Sequence, residues 1–146
     1  MSAHQRNPGG AAVGRLGELP PLERRVIRCV RLWSGGAGGK EALREELARR
    51  HGAPAGNLCG GLEELLETTV GFARRPLMGH ALDCPCAGSD ECVFARFVAL
   101  AAEGAREEAV LIATLLVRAD VALGITCLAE AVGLGLMRSP ELRILQ

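Results

Sequence analysis

The chain has 146 residues, 49% of them apolar, yet only 3% aromatic, with no Tyr and one Trp. That is long enough for one domain with a real core, and the core must be built from Leu, Val, Ala and Ile, a helix-forming alphabet that argues against an extended β-sheet. The formal net charge is zero, with 12 Lys and Arg against 8 Asp and Glu in residues 1–75 and 5 against 9 in residues 76–146; a dipole this mild steers little at physiological salt and demands no nucleic-acid partner.

The expected architecture is all-α: a single compact bundle of five to six helices over residues 19–138, with a Cys-rich loop before the fourth helix. Residues 1–18, centred on Asn7-Pro8-Gly9-Gly10, lack periodicity and are expected to form a flexible arm, and residues 139–146 a C-terminal tail. Residues Met1 to Gly17 carry Arg and Gly but no continuous apolar run of the kind a secretory signal has, so a cytoplasmic location with reduced thiols is expected.

Leu19-Pro20-Pro21 opens the first helix, because proline tolerates the first turn. Leu22, Val26, Ile27, Val30 and Trp33 recur at helical spacing, and Arg24, Arg28 and Arg31 fall on another face. The run from Ser34 to Gly39 is expected to end it. A second helix is expected over 40–51, with Leu43 and Leu47 inward and Gly52 closing it, and a third over 54–72, with Leu58, Leu62, Leu65 and Leu66 inward. Gly60 and Gly61 weaken that helix by about 1 kcal/mol each relative to Ala, unless another backbone packs there.

Ala48, Gly52 and Leu58 resemble a helix-turn-helix in their spacing, over about 25 residues. The recognition helix this implies carries Glu63, Glu64 and Glu67 and no cation, with Asn57 as its one base-reading side chain. Phosphate and guanine contacts want positive charge, so a DNA-binding regulator stands second to an ordinary helical hairpin.

The distinctive stretch runs from His80 to Cys92 and holds His80, Cys84, Cys86 and Cys92. A Cys₃His set is a recognised closed zinc arrangement, although a Cys-x-Cys pair is tighter than the usual knuckle. Zinc is preferred over an iron–sulfur cluster, which takes four thiolates and would need Cys59 or another cysteine. Gly88 would let the loop bend back, Asp83 could replace or orient His80, and the N-terminus of the fourth helix would lower the Cys92 thiol pKa. A thiol redox protein, pairing Cys84 or Cys86 with Cys92, is the competing chemistry. Cys29 and Cys127 sit on apolar helix faces and read as core; His4, in the arm, and His51, at a helix end, are poor ligands.

Ser89 is expected to cap the fourth helix, over 90–103, and Asp120 the sixth. The fifth (106–117) and sixth (121–136) are apolar on most sides and are expected to be the central pair. Arg118, Asp120 and Glu130 interrupt the apolar stretch, which argues against a membrane span. Few polar positions on these helices suggest a helix-packed homodimer. No phosphate loop, nucleophile elbow or His-Glu-x-x-His helix occurs, which points to a regulatory or interaction protein with an unidentified protein partner rather than an enzyme.

Overall fold

The structure, a computed structural model, describes residues 8–138. Among these, six helices follow one another: α1 (Pro21–Trp33), α2 (Gly36–His51), α3 (Ala55–Gly71), α4 (Ser89–Ala102), α5 (Arg106–Leu116) and α6 (Ala119–Met137). A mostly helical bundle is therefore the fold. Val26, Ile27, Leu43, Leu47, Leu62, Leu65, Phe97, Val98, Ile125 and Leu136 are its fully buried centre.

The central pair is α4 with α6, not α5 with α6. From Phe94 to Ala101, α4 leaves only Arg96 exposed, while α5 buries just Ala109, Ala113 and Leu116 and leaves Leu111 68% and Leu115 67% exposed. Ala and Gly on α4 and α6 permit close approach: a Cβ added at Gly133 would stand 2.7 Å from the Ala102 Cβ. By length and composition α6 could cross a bilayer; here it packs against α3, α4 and α5.

Two expectations about the chain's first part change. The stretch from Pro8 to Glu18 is built into the fold as two short 3₁₀ turns flanking a strand, β1 (Ala12–Arg15), which pairs antiparallel with β2 (Cys86–Gly88). Neither strand alternates, and their partners lie over 70 residues apart, so no local pattern announces them. Residues 1–7, with His4, and the tail 139–146 lie outside the described residues. The glycine run is also shorter as a linker than expected. Gly36 at φ 77° turns the chain, and α2 starts there because Gly39 lies against the Leu32 carbonyl, where a Cβ would collide.

Caps differ as well. Gly88, not Ser89, is the N-cap of α4, and its N–H donates to Glu91 Oε1 at 3.0 Å. Asp120 lies inside α6, where it pairs with exposed Arg118 at 2.8 Å and caps nothing. The other ends fall within two or three residues of expectation.

Candidate functional site: the clamped 78–88 loop

Two consecutive carboxylates at the start of α4 organise the Cys-rich loop. Asp90 receives the Arg75 guanidinium in a fork, at 2.7 and 3.0 Å, and the Met78 amide at 2.8 Å. Glu91 receives Arg31 Nε at 2.8 Å and Nη2 at 2.9 Å, together with the amides of Gly88 and His80. Arg31 also donates to the carbonyls of Cys84 at 2.8 Å and Cys86 at 2.7 Å, and more distantly to Leu82. The Arg31 and Glu91 side chains are each only 1% exposed.

A charge pair this deep persists only when nearly every donor and acceptor is used, and here both partners are saturated. Burial opposes ionisation of Glu91, but the bonds from Arg31 and the two amides outweigh it and hold its pKa below the usual carboxylate value. Arg31, expected only on a face apart from the apolar one, is thus the internal clamp of the loop. Its helical spacing with Arg24 and Arg28 gave no sign of that, because periodicity reports a face and not what later packs on it.

On this frame His80 and Cys84 come together. His80 Nδ1 lies 3.5 Å from Cys84 Sγ, and Nε2 lies 2.9 Å from the Gly10 carbonyl oxygen. A carbonyl only accepts, so Nε2 carries the proton and Nδ1 presents its lone pair toward the sulfur. Gly88 makes room for this. Its φ of −81° is ordinary, but a Cβ there would lie 2.8 Å from His80 Cδ2. Its role is close approach of the imidazole rather than a loop bend.

The remaining predicted ligands do not join the pair as one set. Among the described residues no group of three or more His, Cys, Asp or Glu side chains converges on a point. Cys86 is half-buried at the start of β2. Cys92 is half-buried against the core, and its thiol pKa is raised, first by burial and then by Glu91 and Glu23. That reverses the expectation from the helix N-terminus: desolvation and two carboxylates outweigh a partial positive charge. Asp83 is exposed. Cys59, which an iron–sulfur cluster would have called on, is buried in α3 with Sγ 3.7 Å from Glu63 Oε1.

Cys29 is fully buried, as expected of a core thiol, and burial pushes its pKa up to about 11. Cys127 is exposed instead; the apolar α6 turns that position outward. In the region resembling a helix-turn-helix, Leu58 is buried but Ala48, the small residue of the pattern, is exposed. Asn57, Glu64 and Glu67 face outward on α3, an acidic surface toward any phosphate.

Fold and loop define a helical bundle displaying a clamped thiol–imidazole pair. No protein family matches the chain, and no curated protein and no solved structure resembles it significantly.

Proposed function

We propose that the chain is a small cytoplasmic regulatory or interaction protein whose 80–84 segment binds zinc through His80 Nδ1 and Cys84 Sγ, the two predicted donors that lie together. The carrying observation is the 3.5 Å separation of nitrogen and sulfur. Zinc held tetrahedrally at about 2.0–2.1 Å from nitrogen and about 2.3 Å from sulfur sets those two ligands roughly 3.5–3.6 Å apart. The bond from His80 Nε2–H to a backbone carbonyl is also the outer-shell arrangement that fixes a metal-binding imidazole. Cys92, half-buried and facing carboxylates, is left out of the ligand set, and so is Cys86, which does not converge on the pair.

Metal analysis of the purified full chain tests this. About one zinc per chain is expected in the wild type, and a large loss in His80→Ala and Cys84→Ser. Less than about a tenth of an equivalent in the wild type defeats the reading.

The same pair supports thiol chemistry as a second reading, since an imidazole lone pair beside a thiol is the arrangement of an activated nucleophile. It predicts that Cys84 alkylates faster than a free thiol near neutral pH, and that His80→Ala abolishes the advantage. Exposed Leu111, Leu115 and Leu123 on α5 and α6 support a helix-packed homodimer, which light scattering reads directly. Nothing on the acidic face of α3 favours the DNA-binding alternative.

A further inference from the structure

A cleft of about 500 Å³ lies beside the loop, between α1, the 3₁₀ turn Leu16–Glu18 and the segment that contains Cys84 and Pro85. The Leu16 amide donates to the Pro85 carbonyl at 2.8 Å, which ties the 3₁₀ turn to the loop. Its walls carry four arginines, Arg15, Arg24, Arg28 and Arg31, against the carboxylates of Glu18 and Asp83.

These arginines are not equivalent. Arg31 is saturated by Glu91 and the loop carbonyls. Arg28 forks onto Glu46 at 2.7 and 2.9 Å, but Glu46 is shared with Arg25 at 2.8 Å, so one carboxylate serves two guanidinium groups. Arg24 and Arg15 have no ion pair among the described residues. Arg24 Nε is shielded from solvent with no hydrogen-bond partner. With that N–H closed off, whatever Arg24 offers a ligand comes from its terminal nitrogens, which make no ion pair among the described residues. Arginine forks match oxyanions, and a partly enclosed cleft strengthens the attraction.

We propose that this cleft is a binding site for a small organic dianion, bearing phosphate or carboxylate oxygens, held by Arg24 and Arg15 with Arg28 assisting. Glu18 and Asp83 oppose a more highly charged ligand and favour one that also offers a hydrogen-bond donor. The site stands on the arginines alone and does not depend on zinc. Because Cys84 forms part of the same wall, occupancy should be felt at the loop.

The test is an NMR titration of the full chain at low salt with inorganic phosphate and, separately, succinate, repeated for Arg24→Gln, Arg15→Gln and the distant control Arg118→Gln. Saturable shifts centred on the Leu16, Gly17 and Cys84 amides are expected. At least one anion should bind with a Kd of roughly millimolar or tighter. Each of the two cleft variants should bind about tenfold more weakly or worse, with the control unchanged. Arg15 is exposed on β1, so its variant reads the site even if Arg24→Gln disturbs folding. Phosphate alone binding, or succinate alone, would identify the anion class. No saturable shift with either anion, or equal weakening by Arg118→Gln, overturns the proposal. Metal-free protein should titrate identically, so this failure and a failure to bind zinc are separate results.

Discussion

Replacing Glu91 by Gln removes the charge at the centre of the loop clamp while keeping the size of the side chain. The carboxylate accepts four hydrogen bonds, from Arg31 Nε and Nη2 and from the amides of Gly88 and His80, and both ionic side chains are 1% exposed. An amide keeps one oxygen acceptor and turns its NH₂ toward groups that are themselves donors. Arg31 is left as a buried cation without a counter-charge, a change that costs about 3–5 kcal/mol. Against a total stability of roughly 5–15 kcal/mol this is a large fraction, and for a chain of this length it lowers Tm by about 10 °C or more. Urea unfolding followed by circular dichroism should show a lower midpoint at unchanged slope, because the surface exposed on unfolding is the same. Hydrogen exchange should report the first loss of protection at the 78–88 loop. A Glu91→Gln protein within about 1 kcal/mol of wild type would refute the clamp, since a buried pair cannot lose its charge so cheaply.

Other outcomes follow from single residues. Burial opposes ionisation of Glu46, but its bonds to Arg28 and Arg25 bring the pKa down to about 2. A depressed folded pKa gives stability that is present above the unfolded carboxylate value of about 4.3 and is lost as pH falls toward about 2. Glu91 acts in the same direction, and acid titration of unfolding should find Glu46→Gln less sensitive over that window. At the alkaline end the sign reverses, because Cys29 has its pKa raised from 9.0 to about 11. The contribution is intact below 9.0 and declines as pH rises from there to about 11, and Cys29→Ala should lack that decline. Gly60→Ala should stabilise α3 by about 0.5–1 kcal/mol, since a Cβ there meets open space. Gly133→Ala should destabilise by about 1–3 kcal/mol, because its Cβ would press on Ala102 and Val98. Thermal melts of the two glycine variants suffice, and equal shifts would contradict the packing of α4 on α6.

The helices were legible because Leu22, Val26 and Ile27 on α1, and Leu58, Leu62, Leu65 and Leu66 on α3, repeat at helical spacing and are all buried. Apolar character alone misjudged α5 and Cys127, since nonpolar side chains are common on protein surfaces while buried charge is the informative exception. Arg31 and Glu91 were that exception. Their partners lie 60 residues apart, a distance that no local pattern spans. The candidate site was half legible: His80 and Cys84 are four residues apart and meet. Cys92 lies at a helix start whose dipole was visible in sequence, whereas Glu23, which faces it from α1, was not. The N-terminal strand had no signature, for β1 is held by backbone bonds to β2 and by the 3₁₀ turns around it rather than by its own side chains.

X-ray absorption at the zinc edge, on the zinc-loaded 146-residue chain, reads the proposed ligands themselves. A mixed shell is predicted, with sulfur at about 2.3 Å and nitrogen at about 2.0 Å, losing its sulfur component in Cys84→Ser and its imidazole signature in His80→Ala. A shell of oxygen alone, or one unchanged by both substitutions, would contradict the placing of zinc between Nδ1 and Sγ.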